Sequence, residues 1–326
     1  LGGWARRLEG ISSRSLKPEE RIERRVLSDS IRARLFSLEE LRPWQRSPLH
    51  YAETLASSLA GQVLFDYAPV TERARRVVSK LRQTPRLLEA ARKNVTDPPG
   101  LFVKVGVESL EGLLAFVERD LPKAFRALDD MHLLGDLADA STVAVNALRG
   151  YTAHLKDSVA PRSRASFRLG RDRFAQMLKL HDGVDVPPEQ LLEIAERELK
   201  LTQTEFAKVS SGLGVDGPTA WSQVKERHPQ ADELLSVVDG QLQDLVNFIR
   251  RNRLVTIPEH EPLRVAPTPE FYRWTFASMW SPGAFESKIL PAYYYITNVD
   301  PSWSPDRQEE HLRDFNFATL PSVSIH

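Results

Sequence analysis

Histidines are the side chains here best suited to hold a metal ion or to move a proton near neutral pH. Eight occur: His50, His132, His154, His181, His228, His260, His311 and His326. No two of them stand four residues apart with a Glu between, so the chain holds no complete His-Glu-x-x-His zinc motif. His228 precedes Pro229 and reads as a helix cap. His260 lies in the polar turn Pro258-Glu259-His260-Glu261-Pro262 and reads as solvated. His181 ends a helix beside Asp182-Gly183, where a cation complements the helix dipole. His311 falls in the helix before the last one; it reads as a surface residue that could approach a site there. His326 differs by its context. It closes Leu320-Pro321-Ser322-Val323-Ser324-Ile325-His326, an apolar, Pro-initiated first turn of a helix. That is where helical zinc motifs carry their first ligand.

Other chemistries find less support. There is no Cys, which removes disulfide scaffolds, thiolate zinc sites and cysteine nucleophiles. Gly212-Leu213-Gly214 reads as a helix stop without the Lys-Ser/Thr of a phosphate loop, and no Gly-x-Ser-x-Gly elbow occurs. The run Tyr293-Tyr294-Tyr295-Ile296-Thr297-Asn298-Val299 is the strongest strand signal. Alternating Tyr side chains would fill the core and rim of a sheet. Alternatively, the strand lies at a sheet edge and pairs with an extended peptide, Tyr293, Tyr295 and Asn298 facing the substrate. Trp274, Trp280 and Trp303, close by in sequence, read as core or groove wall.

Lys plus Arg and Asp plus Glu number 44 each, a balance that argues against a nucleic-acid or membrane-surface protein. The densest basic stretch, Arg73, Arg75, Arg76, Lys80, Arg82 and Arg86, reads as a solvated helix face. No apolar run approaches the roughly 18 residues of a membrane span. Leu1 is not a natural start and the last helix stops without a cap. The expectation is therefore a piece of a longer protein, either cytoplasmic or exported behind a signal that precedes Leu1.

Some 250 residues of helix are needed to position these groups. Approximate spans are 18–41, 49–62, 71–82, 85–94, 100–119, 121–131, 134–157, 171–181, 188–210, 217–227 and 230–251. Thr84-Pro85, His228-Pro229, Thr268-Pro269 and Ser304-Pro305 read as helix starts, where Pro forfeits an N–H that would be unpaired anyway. Leu234, Val238, Leu242, Leu245 and Ile249 form an apolar stripe, as do Leu191, Ala195, Leu199 and Phe206, and each is expected to face a core. After Asn252 the β-branched run Leu254-Val255-Thr256-Ile257 and its return at Leu263-Arg264-Val265 read as a hairpin. The expected fold is mainly α: a large helical lobe over 1–251, then a small α+β subdomain of metallopeptidase type over 252–326.

The order of these segments resembles the bacterial family catalogued as domain of unknown function 885 (DUF885), regarded as zinc-metallopeptidase-like. Trp44, Pro48 and Tyr51 look like its opening pattern. Leu87-Leu88-Glu89-Ala90-Ala91-Arg92-Lys93-Asn94, before Asp97-Pro98-Pro99, is similar to its Leu-x-x-Ala-x-x-Asn helix. Phe167-Arg168-Leu169-Gly170, Pro282-Gly283-Ala284-Phe285 and Tyr294 to Asn298 match further segments. In the family, the stretch similar to Leu320–His326 runs into a Glu and then Pro-Gly-His-His. The resemblance implies that His326 is a zinc ligand and that a Glu just after it is the general base of a peptidase acting through metal-activated water. It implies a peptide or small amide substrate. A chain ending at His326 would hold one ligand and be inactive alone. A non-catalytic helical binding or scaffold protein, and a metal-dependent amidase or lyase on a non-peptide, remain the alternatives.

Overall fold

The computed structural model describes residues 1–257, 262–269, 273 and 275–326. Among them the chain is mainly helical, with one small sheet near its C-terminal end. The helices are α1 (Gly2–Glu9), α2 (Pro18–Phe36), α3 (Pro43–Arg46), α4 (Leu49–Leu64), α5 (Val70–Asn94), α6 (Gly100–Ala115), α7 (Leu121–Ala124), α8 (Met131–His154), α9 (Arg171–Met177), α10 (Pro188–Gly212), α11 (Gly217–Lys225), α12 (Leu234–Asn252), α13 (Pro305–Asp314) and α14 (Thr319–Ile325). The strands are β1 (Leu263–Pro267), β2 (Ala277–Trp280) and β3 (Ala292–Ile296).

Local chemistry explains most helix starts. Asp130 caps α8 by accepting the Leu133 N–H at 2.9 Å, and Asp216 caps α11 by accepting that of Thr219 at 2.7 Å. Ser304 caps α13, with Pro305 in its first turn as expected. Two expected starts are not starts. Pro85 lies inside α5, which runs unbroken through it. Burial decides there: Leu81 and Ala91 are fully enclosed and Leu88 nearly so, which outweighs the roughly 3 kcal/mol cost of an interior Pro. After His228-Pro229 the helix begins only at Leu234. The helix expected from Thr268-Pro269 would fall on residues outside those described, as do the turn with His260 and Trp274.

The chain divides into two compact units. The first comprises Leu1–Ala60 and Ala74–Lys200. Its core joins Leu55 and Leu59 of α4, Val77 and Leu81 of α5, Leu110 of α6 and Leu137, Leu148 and Tyr151 of α8, all buried. α6 approaches α4 where Gly106 has no side chain; a Cβ there would lie 2.8 Å from the Pro48 Cβ. Two motifs distant in sequence meet at Tyr51. Its hydroxyl donates to the Trp44 carbonyl at 2.8 Å and accepts from Asn94 Nδ2 at 2.9 Å.

The second unit comprises Gly61–Arg73 and Leu201–His326. The expected division between 251 and 252 falls inside it, because α12 lends Leu234 and Val238 to the same core as the sheet. The sheet order is β1-β3-β2. β1 runs parallel to β3, Leu263 beside Ala292 and Pro267 beside Ile296. β2 runs antiparallel, Ala277 beside Ile296 and Trp280 beside Tyr293. The expected hairpin is corrected: residues 254–257 form no strand, and β1 pairs with β3 instead. Tyr294 and Ile296 of β3 join Leu312 of α13, Phe315 directly after it, Leu320 of α14 and Leu234, Val238 and Leu242 of α12 in one cluster. Phe276 stacks on Phe315 with ring centroids 3.8 Å apart. The α10 stripe is the other correction. Ala195, Leu199 and Phe206 are exposed and Leu191 is only half-buried, because periodicity makes a face apolar without supplying anything to cover it.

Candidate functional site

His326 is set by the end of α14. Asn316, fully buried, orders the start of that helix: its Oδ1 accepts the N–H groups of Ala318 and Thr319 at 3.1 and 2.9 Å. Leu320 anchors the first turn in the core, and Ser324 Oγ lies 3.2 Å from the Tyr294 hydroxyl. One turn beyond, the exposed His326 ring places Nδ1 2.7 Å from the Ser322 carbonyl. A carbonyl only accepts, so Nδ1 carries the proton and, in the neutral ring, Nε2 keeps its lone pair. The Asn316 cap was legible as Asn-x-x-Thr before an apolar turn. The Tyr294–Ser324 contact has no sequence signal.

β3 is the central strand of the sheet, so its main-chain groups are taken on both sides by β1 and β2. This removes the alternative of an edge strand and agrees with Tyr side chains filling a sheet. Tyr293 and Tyr295 do share one face, ring centroids 5.4 Å apart and nearly parallel. Tyr293 also meets Phe65 at 6.1 Å, and Tyr295 is buried. Burial, then neighbouring Tyr293, pushes the Tyr295 hydroxyl up to about 12, so it is a neutral donor throughout the physiological range. Ser278, beside Tyr295 in register, has a buried Oγ with no hydrogen-bond partner among the described residues. Asn298 is not free to face a substrate: Nδ2 donates to the Ala231 carbonyl at 2.6 Å and Oδ1 accepts the Val299 N–H at 2.7 Å.

His311 and His228 are held in structural contacts. His311 Nε2 lies 2.7 Å from the Thr297 carbonyl, with its ring edge-on to Trp303 at 5.2 Å and tilted on Phe315 at 5.0 Å. His228 is no cap. Its side chain is 6% exposed, Nδ1 lies 3.1 Å from the Pro229 carbonyl and Nε2 3.2 Å from Glu309 Oε1. The Glu309 carboxyl is held below its ordinary value by Arg313 and then by His228. Burial, then the Arg34 charge, lowers His50; burial, then Arg92 and Arg162, lowers His154. His132 is exposed beside Asp136, and His181 meets the edge of Phe36 at 6.5 Å.

Among the described residues no three His, Cys, Asp or Glu side chains form a group that could hold a metal ion, and no helix is long and apolar enough to cross a membrane. The His326 ring keeps Nε2 for a cation. One imidazole does not make a zinc site, which takes about three protein ligands. The donor set among the described residues therefore does not fit zinc by itself.

No curated protein matches the chain. Two solved structures share its fold. One, described as a putative lipoprotein of unknown function from Shewanella oneidensis, is 24% identical with a TM-score of 0.70; the match covers 98% of this chain and 60% of that one. The other, described as the putative lipoprotein from Colwellia psychrerythraea, is 13% identical with a TM-score of 0.61, covering 78% of this chain and 47% of that one. The chain thus spans less than two thirds of either. The family model described as bacterial protein of unknown function (DUF885) matches residues 2–326.

Proposed function

The chain belongs to the bacterial DUF885 family over residues 2–326, and from that premise we propose that it forms part of a zinc-dependent peptidase in which His326 supplies one metal ligand. The observation that carries this reading is the state of the His326 ring. Nδ1–H is spent on the Ser322 carbonyl, which leaves Nε2 for a cation, the arrangement usual around metal-ligating histidines. The family resemblance supports the rest: a Glu directly after His326 and further His residues to complete the site. The His326 imidazole by itself cannot hold the ion, which takes about three protein ligands.

What these residues would supply is binding. An extended peptide or small amide substrate can pair its main chain with an outer strand of a sheet. With β3 central, that role passes to β1 or β2. Tyr293, half-buried beside Phe65 and Trp280, would then line the substrate's side-chain path, while Tyr295 and Asn298 support the strand from inside. The description of the two solved relatives as putative lipoproteins favours export over a cytoplasmic location.

The test uses the full-length protein, purified without chelators. Elemental analysis is expected to give stoichiometric zinc, with hydrolysis in a peptide library, and His326→Ala is expected to lose both. Wild-type protein without zinc, or a His326→Ala variant that keeps it, would defeat the reading. A second reading, a non-catalytic helical binding or scaffold protein, is favoured by the capture of Asn298, His311 and His228 in structural hydrogen bonds. It expects no zinc and no turnover. A metal-dependent amidase or lyase on a non-peptide would share the zinc result and separate by substrate profile.

A further inference from the structure

Tyr294 and Ile296 turn toward the cluster with α12, α13 and α14, so Tyr293 and Tyr295 occupy the opposite face of β3. Their ring centroids are 5.4 Å apart and their planes only 7° from parallel. Rings aligned in this way on alternate residues carry their hydroxyls side by side at a similar spacing. That spacing is twice the length of a strong O–H···O⁻ hydrogen bond, about 2.7 Å. One anionic oxygen set between the two hydroxyls would accept from both.

Among the described residues neither hydroxyl has a hydrogen-bond partner, although Tyr295 is only 5% exposed. A hydroxyl on so buried a ring ordinarily finds one. Ser278 of β2, in register with Tyr295, has a buried Oγ that is equally unpaired. Arg264 of β1, in register with Tyr293, leaves the same face of the sheet. It is exposed and enters no ion pair or hydrogen bond among the described residues. Its planar fork of donors suits a carboxylate. The face thus gathers two phenols, a serine hydroxyl and one cation, all within the second unit. Half-buried Tyr293 and exposed Arg264 leave the group open toward β1. One cation matches a monoanion and would leave a phosphate dianion half-neutralised.

We propose that Tyr293, Tyr295 and Arg264 hold a carboxylate, and that it is the free C-terminal carboxylate of a peptide. The choice of a peptide rests on the peptidase reading above; the choice of a carboxylate rests on these side chains alone. A peptide paired with the outer strand β1 brings its end beside Arg264. One carboxylate oxygen would then lie between the two hydroxyls and the other on the guanidinium. The substrate is thereby engaged at its C-terminal end, and no residue of α14 takes part.

The experiment titrates the whole chain, without zinc, into three pools of N-terminally labelled random hexapeptides and reads fluorescence anisotropy. One pool ends in a free acid, one in an amide, and one in Glu carrying a C-terminal amide. The acid pool is expected to bind at least about tenfold more tightly than either amide pool. Tyr295→Phe and Arg264→Gln are each expected to weaken the acid pool by about tenfold and to leave the amide pools unchanged. Tyr295→Phe removes a hydroxyl that has no partner, so its unfolding midpoint should not fall; if it does, Arg264→Gln, at an exposed position, decides the matter. Four results would each overturn the proposal: no binding of the acid pool, equal binding of acid and amide, a Glu-amide pool as tight as the acid pool, or an acid preference that survives both substitutions. The two readings fail separately. Full-length protein without zinc would defeat the peptidase reading and leave the acid preference standing, whereas zinc-dependent hydrolysis indifferent to a C-terminal amide would defeat the carboxylate site alone.

Discussion

Removing the Tyr51 hydroxyl tests whether it locks Trp44 to Asn94 inside the first unit. The hydroxyl makes two hydrogen bonds, to the Trp44 carbonyl and from the Asn94 amide, on a ring only 5% exposed. A buried hydrogen bond contributes about 1 kcal/mol net, and stranding a buried polar partner costs about 1–3 kcal/mol. Trp44 and Asn94 are half-buried, so water can reach part of what the hydroxyl leaves behind. Tyr51→Phe is therefore expected to cost about 2 kcal/mol, and Asn94→Ala about 1 kcal/mol. The two substitutions share one bond, so the double variant should fall short of additivity by about 1 kcal/mol. Urea unfolding followed by circular dichroism measures all three: the midpoint should drop with the slope unchanged. A loss below about 0.5 kcal/mol for Tyr51→Phe, or full additivity, would show that no three-way link is formed.

Burial lowers the His50 and His154 pKa values below the unfolded value of about 6.5. Their neutral rings therefore contribute stability that is full above that pH and is lost as pH falls through the folded values. Thermal midpoints should drop between pH 7 and pH 5, and less so in His50→Gln; an unchanged drop would exclude His50 as a source. Gly106→Ala should destabilise by about 1–3 kcal/mol, although Ala is the better helix former, because its Cβ would press on Pro48; a stabilised variant in chemical denaturation would refute the close approach. Asp130→Ala should cost about 1 kcal/mol by stranding the Leu133 N–H, and Asp130→Asn much less; equal losses would mean that charge, not the cap bond, matters.

Helix positions were largely legible because caps and apolar spacing are local. Ser304-Pro305 starts α13 as its residues indicate, and Leu234, Val238 and Leu242 of the α12 stripe face the core. The failures occur where a local signal met something distant. Pro85 looks like a start, but enclosed side chains on both sides keep α5 whole. The β-branched run 254–257 suggested a hairpin because pairing partners do not show in periodicity; the true partner of β1 lies beyond β2 in sequence and runs parallel to it. The α10 stripe shows the same limit from the other side, since amphipathicity does not say whether a face is covered. At the proposed site, the apolar turn draws attention to His326, whereas the Nδ1 bond that fixes its tautomer has no sequence signal. Tyr293, Tyr295 and Asn298 were singled out for residue type. Only the strand order reveals that Tyr293 and Tyr295 stand on a central strand, with Asn298 just beyond its end.

That strand order also bears on how the polypeptide is made. β1 and β2 are synthesised first, yet each pairs only with β3. During translation, at about 5–20 residues per second, neither can form its ladder until residues 292–296 leave the ribosome. Nor can Leu234 and Val238 of α12 find their core partners earlier, because Tyr294, Phe315 and Leu320 all come later. The first unit can therefore fold while the second is still nascent. Over that interval the waiting strands and the face of α12 are what a chaperone would meet.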